Sequence, residues 1–569
     1  MNQGFLHKLF GTTPDKGVQP KEALAYSIAG FGQNFICTII GSYITVFMTD
    51  ALLFGAPSVK FGEITLFGET KVITGAIAVA ILMLAARIFD AFNDPIMGSV
   101  VDKTRTKWGK CRPYLKWMAL PIGIMTILCF LPYYDHANVA NNGDKKIFIF
   151  TAIAAIYVIW SVAYTIADVP YWGLATCLTN NTETRGNILT VARMFCTVGA
   201  GIVTVFLPMI TGKMTEQYRY LKPENWDELK TLPFEELLEK VKVVSDIWAD
   251  KKDIISEMLS QSETTGITEI GAVETFFNTV IAGQEYANAH TLKWIYFIAA
   301  IILVVAAIPM FFYGFKHTKE RFTADDNPPS FFHNLKLLFK NDQLLLIVAS
   351  GILGGARMVY SYTGGLYFAK YILQDEGMYG TITLLVVPGG LVASILVPWM
   401  SKKFTKKWSY IIVHLFGGLV MTAMYFIGYT GTENYSQTTA LLICAVGLIL
   451  LGIPQGVNNI ITYAMIGDTV DYLEWKTGER GEGICYAMQT LINKIGMAVG
   501  AFIGVISMDI AKINPLNYSV ENPDALWSVL IISGAVSMFA CALPMFFYKI
   551  TEKKQREMVA EIEARKASK

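Results

Sequence analysis

The run Ala86-Arg87-Ile88-Phe89-Asp90-Ala91-Phe92-Asn93-Asp94-Pro95-Ile96-Met97-Gly98 decides how this chain is read. It lies inside an apolar stretch at 73–100, and a loop bearing Lys103, Arg105, Lys107, Lys110, Arg112 and Lys116 follows it. About 20 mostly apolar residues in a helix cross the roughly 30 Å hydrocarbon layer of a bilayer. The stretch therefore reads as a membrane helix carrying Arg87, Asp90 and Asp94 at depth. Each such charge costs about 3 kcal/mol even on the milder scales, so each is a functional hypothesis. Asp90 and Asp94 are four residues apart and share a helical face. Two carboxylates there repel unless a cation or a proton lies between them. Asn93 adds a neutral oxygen, and such hard oxygen ligands suit Na⁺ and H⁺ equally. The plainer reading is an ion-paired packing network with Arg87.

Outward from this run the same apolar texture repeats. Of 569 residues, 53% are hydrophobic and 16% charged, against about 25% charged in a soluble domain; mean hydropathy is +0.41. Twelve stretches are long enough to span: 23–49, 73–100, 114–133, 147–176, 187–211, 292–315, 342–372, 379–400, 408–429, 439–466, 483–508 and 525–548. Lipid offers the backbone no hydrogen bonds, so all twelve are expected as helices. Lys and Arg collect in the even-numbered loops and the C-terminal tail, for example Lys316, Lys319 and Arg321, then Lys402, Lys403, Lys406 and Lys407. This positive-inside register places both termini in the cytoplasm of a multi-pass cell-membrane protein. The N-terminus is polar to about Glu22 and lacks the pattern of a signal peptide.

The expected organisation is an all-α membrane protein of two six-helix halves. Residues 1–212 hold the first five helices and 291–315 the sixth; a cytoplasmic middle loop covers 316–340. The second half runs 341–550, and a cytoplasmic tail covers 551–569. Residues 213–290 are polar, with Leu237, Leu238, Val241, Val244 and Ile247 at helical spacing, and read as an extracytoplasmic helical insert. Its functional reading is a contact with substrate or a partner, and its plain reading is a cap. Two such halves with a midplane site are a transporter plan.

Other polar residues also lie near span centres. Span four holds Asp168 in Tyr164-Thr165-Ile166-Ala167-Asp168-Val169-Pro170-Tyr171-Trp172. Trp172 is four residues on and shares its face. A carboxylate accepts sugar hydroxyl bonds, and an indole stacks on a pyranose ring, although an aromatic here also serves as an interface anchor. Span five brings Arg193, and span eleven brings Lys494 after Gln489, Thr490 and Asn493. Asp90, Asp94 and Asp168 with Arg193 and Lys494 carry a net −1, which one monovalent cation neutralises; counting Arg87 removes that need. The eight cysteines are scattered and show no zinc or disulfide spacing. Net charge is +1, so no charge bias points to nucleic acid. There is no nucleophile–base pair or metal-ligand cluster, so an enzyme is not expected, nor a cofactor beyond a coupling ion.

These residues, in this order, resemble the glycoside–pentoside–hexuronide:cation symporter family of the major facilitator superfamily. The resemblance rests on 86–98, on Thr104-Arg105-Thr106-Lys107-Trp108-Gly109-Lys110, on 165–172, and on Asp468-Thr469-Val470-Asp471-Tyr472-Leu473-Glu474-Trp475 through to Lys494. It covers nearly the whole chain apart from the insert. It implies a cation site at Asp90, Asn93, Asp94 and Thr165. It implies sugar contacts from Asp168, Trp172 and Arg193, with Tyr164, Gln489 and Thr490 as pocket neighbours, and Lys494 between the two sites as a coupling group. The chain departs from the family in span one, where a Lys-Asp pair is replaced by Gln33-Asn34 and a tyrosine by Gly41. Gln33 and Asn34 thus enter the substrate site without charge, and the galactoside preference of the type member does not transfer. The implied function is Na⁺- or H⁺-coupled uptake of a sugar or glycoside by a monomer. The alternatives are a lysolipid-type symporter of the same superfamily and a non-transporting membrane sensor.

Overall fold

The computed structural model describes residues 18–66, 69–179, 182–215, 269–321, 331–361, 363–373, 375–427, 437–479, 482–515 and 519–567. Its first helix begins where the sequence signals a start. Pro20 supplies a helical φ at a position whose N–H has no helical partner anyway, and Glu22 Oε2 accepts the amide of Gln19 at 3.2 Å. This helix, α1 (Pro20–Val46), continues through a π-helical turn, Phe47–Ala51. An antiparallel hairpin follows, β1 (Lys60–Leu66) and β2 (Glu69–Thr74), pairing Lys60 with Thr74 and Leu66 with Glu69. It occupies a connection for which no strand was expected. Thr74 then caps α2 (Gly75–Lys103), accepting the amide of Ile77 at 3.2 Å. Gly75 is required at that corner because a Cβ would lie 2.1 Å from the carbonyl oxygen of Phe54.

The first half continues with α3 (Arg112–Trp117), α4 (Ala119–Cys129), α5 (His136–Ala140), α6 (Lys145–Leu178), α7 (Thr182–Thr215) and α8 (Glu269–His317). The second half holds α9 (Phe331–Lys340) and α10 (Asp342–Leu353). A 3₁₀ turn at Gly355–Ser361, α11 (Thr363–Tyr367) and a π turn at Phe368–Ile372 come next. Then follow α12 (Met378–Ile427), α13 (Gln437–Thr477), α14 (Glu482–Ile510), the short strands β3 (Ile513–Asn514) and β4 (Ser519–Val520), α15 (Pro523–Met545) and α16 (Glu552–Ala567).

Among the described residues, eight helices are long and apolar enough to cross a membrane. The other four expected stretches fall on segments that are charged, split or kinked. Stretch 73–100 lies on α2, which bears Arg87, Asp90 and Asp94. Stretch 114–133 divides between α3 and α4. Stretch 342–372 is broken from α10 to the π turn. Stretch 379–400 is the first part of α12, which kinks at Thr405 (φ 64, ψ 158), a backbone region costly for a β-branched residue.

The expected insert is redrawn at both ends. Helix α7 runs on to Thr215 and α8 begins at Glu269, so 269–290 is the start of the helix that carries the sixth expected stretch rather than a separate element. Residues 216–268, with the helical pattern at Leu237–Ile247, lie outside the described residues. The expected middle loop contains α9, and the expected tail contains α16.

Large apolar side chains face outward along the long helices, among them Phe148, Val305 and Phe426. A lipid solvent makes such a surface inexpensive. Inside, one packed core joins the first half to one end of the second half through Tyr367, Phe368, Tyr371, Tyr379 and Trp527. The opposite end of the second half, from Leu337 and Leu344 to Tyr548 and Met558, packs as a cluster of its own.

Candidate functional site

Helix α6 presents Ser161, Thr165, Asp168 and Trp172 at spacings of four, three and four residues, which makes one stripe along a helix. The stripe runs beside α2 in register. The Ser161 hydroxyl donates to Asp90 Oδ1, and one turn further the Thr165 hydroxyl donates to Asp94 Oδ1 at 3.0 Å. The two carboxylates that the sequence places on one face of α2 therefore each meet a hydroxyl of α6.

Each also meets a cation of the chain itself. Arg87 donates to Asp90 Oδ2 at 3.4 Å. Lys494, on α14, reaches Asp94 at 2.7 Å. Lys494 thus meets a carboxylate of α2, one of the residues that the resemblance gave to the cation site. Asn93 lies on the same turn, and its amide Nδ2 is buried with no hydrogen-bond partner among the described residues. Two carboxylates, a hydroxyl and an amide, donor types that a hard monovalent cation takes, are thus carried on neighbouring turns of α2 and α6. Among the described residues no three His, Cys, Asp or Glu side chains group as a metal site.

Asp168 differs from both. Among the described residues it accepts neutral donors: Gln33 Nε2 at 2.5 Å, Trp172 Nε1 at 3.0 Å and the Tyr164 hydroxyl at 3.3 Å, all at Oδ1. Gln33 reaches it from α1. Pro170, between Asp168 and Trp172, has no N–H to give to the carbonyl of Ile166, which loosens the helix at this point. The Arg193 guanidinium lies 4.6 Å over the Trp172 ring and 5.1 Å over Tyr463, and it donates to the Tyr463 hydroxyl at 2.7 Å. That stack joins α6 and α7 to α13. The arrangement can accept hydroxyl hydrogen bonds at Asp168, offer donors at Arg193 and Gln33, and stack a ring on Trp172.

Three residues expected at the site contribute less directly. Asn34 donates to the carbonyl of Gly30 in its own helix at 3.0 Å. Gln489 donates to Asn493 Oδ1 at 3.2 Å, and its Oε1 is buried without a described partner. Thr490 is half-buried, one turn before Lys494. Two participants were not expected. Ser161 was findable, because it continues the stripe of Thr165 and Asp168 one turn back. Tyr463 had no sequence signal, since a tyrosine in an apolar span is ordinary.

The fold and the residues gathered at its centre define a membrane transporter of the major facilitator type, and not an enzyme. A family described as MFS/sugar transport protein matches residues 25–552, and the chain belongs to it, within the glycoside–pentoside–hexuronide group. The chain is 24% identical over 552 residues to the isoprimeverose transporter of Lactiplantibacillus pentosus, covering 96% of this chain and 92% of that one. It is 26% identical over 501 residues to the glucuronide carrier protein homolog of Escherichia coli (strain K12), covering 86% and 88%. A solved structure of a D-xylose-proton symporter superposes with a TM-score of 0.51 at 12% identity, covering 94% of this chain and 98% of that one; this likeness concerns the fold alone. The chain is a sugar transporter by family.

Proposed function

We propose that the chain imports a sugar or glycoside together with one monovalent cation, Na⁺ or H⁺, by alternating access between two six-helix halves. In this reading twelve helical segments span the cell membrane, both termini are cytoplasmic, the connection between α7 and α8 is outside, and the monomer suffices. The cation binds at Asp90 and Asp94 with Asn93 and Thr165. The sugar binds between Asp168, Trp172, Arg193 and Gln33, with Tyr164, Asn34, Gln489 and Thr490 around it.

The observation that carries the reading is the stripe on α6. Asp168, whose partners among the described residues are neutral donors, lies one turn from Thr165, which binds the carboxylate held by Lys494. A cation arriving at Asp94 competes with the Lys494 ammonium, and a freed lysine adds a positive charge beside the sugar site. Coupling of this kind is reciprocal, so sugar raises cation affinity by the factor with which the cation raises sugar affinity.

The test is calorimetric binding of Na⁺ to purified protein at fixed pH, with and without glycoside, for the parent and Asp94→Asn. Saturable Na⁺ binding that strengthens with glycoside and vanishes in the variant supports Na⁺ symport. A pH-dependent glycoside affinity without Na⁺ binding assigns H⁺. Uptake blocked by lysolipids and indifferent to glycosides overturns the sugar reading.

A further inference from the structure

Far from the sugar and cation residues, the two halves are joined by charged groups at one end of the bundle. Asp50 lies in the π turn after α1, and Lys370 lies in the π turn after α11. Their side chains form an ion pair in which each is 1% exposed. The Tyr371 hydroxyl also donates to Asp50 Oδ2, at 2.9 Å, and Thr49 Oγ1 donates to Asp50 Oδ1 at 2.7 Å. The Thr49 hydroxyl meets the Tyr367 hydroxyl at 2.7 Å. At the same end the Thr211 hydroxyl of α7 donates to the buried Glu376 at 2.6 Å, and Thr74 donates to Asp509 at 2.8 Å. Apart from the Thr49–Asp50 bond, each of these contacts reaches from the first half to the second. The packed core crosses between the halves through these same tyrosines, whereas the far end of the second half packs separately.

We infer that Asp50 and Lys370, with Thr211 and Glu376, form a gate that closes this end of the transport path and must part in every cycle. The inference rests on the alternating-access reading above, in which this end is extracytoplasmic. The chemistry suits a gate better than an apolar seam would. A buried ion pair loses hydration on closing and regains it on opening, so it adds little net preference for either state. Apolar side chains in the same place favour closure outright, because opening them exposes apolar surface to water. Removing one partner leaves an uncompensated buried charge, which favours opening. The two kinds of substitution therefore push in opposite directions.

That opposition is the test. Thr45, buried and four residues before Thr49 on the same helix, is replaced by Cys to report opening. A membrane-impermeant maleimide is added outside cells, and labelling at position 45 is read by mass spectrometry against the same protein without Thr45→Cys. Asp50→Asn is expected to raise the labelling rate about tenfold, the effect of a modest shift between two states. Asp50→Leu combined with Lys370→Met leaves no buried charge; it is expected to fold and to lower both labelling and sugar uptake about tenfold. Equal labelling in all three proteins overturns the gate. Should the Thr45→Cys protein take up no sugar, the function reading fails, while the labelling comparison still decides the gate. If Asp50→Asn does not fold, the double variant alone decides it, and an unchanged labelling rate there overturns the proposal.

Discussion

Lys494 places its ammonium nitrogen 2.7 Å from both carboxylate oxygens of Asp94, across the seam between α14 and α2. Both side chains are nearly buried, so neither charge has water to fall back on. Removing one partner of such a pair is much more damaging than removing both. We expect Asp94→Asn and Lys494→Gln each to lower the stability of the cation-free protein by about 3–5 kcal/mol, and the double variant to recover most of that loss. Thermal unfolding in detergent across the four proteins measures it. Concentrative sugar uptake is expected to be lost in all three variants.

Asp168 carries its hydrogen bonds at one oxygen, and its donors are neutral. Asp168→Asn keeps the shape but turns an acceptor into a partial donor facing Gln33 and Trp172. Glycoside affinity is expected to fall by about 100-fold or more, as when a polar site loses its matching partner. Na⁺ or H⁺ binding measured without sugar is expected to persist, which would separate the two proposed sites.

Glu320 caps the basic loop between α2 and α3. Its carboxylate accepts the amides of Lys110, Cys111 and Arg112 at 2.9, 2.8 and 2.6 Å. Beside it Gly109 has φ +109, and a Cβ there would come within 2.3 Å of the Glu320 carboxyl carbon. Glu320→Gln is expected to cost about 1–2 kcal/mol through the weakened cap. Gly109→Ala is expected to cost about 1–3 kcal/mol, because an L side chain is strained at this φ and its Cβ strikes the tethered carboxylate. The midpoints of thermal unfolding test both.

His136, in the short helix α5, meets the carbonyl of Tyr286 through Nε2 at 3.1 Å, and its Nδ1 is buried without a described partner. Burial, with Lys293 nearby, holds its pKa down to about 4 from an ordinary 6.5. The folded state therefore resists a proton that the unfolded chain accepts. Stability is unaffected by this group above about pH 6.5 and declines as pH falls from there toward 4. His136→Gln is expected to flatten that part of the stability–pH curve and leave the neutral-pH value nearly unchanged.

The charged residues at membrane depth were legible in the sequence because water-soluble logic cannot place them there. Asp90, Asp94, Asp168 and Lys494 stood out against apolar neighbours, and helical spacing alone put Trp172 beside Asp168. Tyr463 and the Asp50–Lys370 pair were not legible. Asp50 and Lys370 fall at the ends of apolar stretches, where a charge ordinarily marks the water interface, and they are 320 residues apart. Nothing local shows that they are buried against each other. The hairpin from Lys60 to Thr74 does alternate as strands do, in Glu63-Ile64-Thr65-Leu66, but a reading tuned to spans passes over so short a period. The start of α8 was misplaced because Gln284, Glu285, Asn288 and His290 interrupt its apolar pattern, and helices in membrane proteins run on into water without a change of geometry.

The α6 stripe bears on how such a chain changes diet. The residues assigned to the ion sit on α2 and on the earlier turns of α6, and they hold each other in register through Ser161 and Thr165. The groups that would greet the rest of a sugar come from elsewhere: Gln33 on α1, Arg193 on α7 and Tyr463 on α13. On the proposed assignment, a change of preferred sugar would be written at those outlying positions. In the proposed reading the engine and the palate of the molecule meet on α6 and part company on the other helices, and a protein engineer seeking a new substrate has a short list of places to begin.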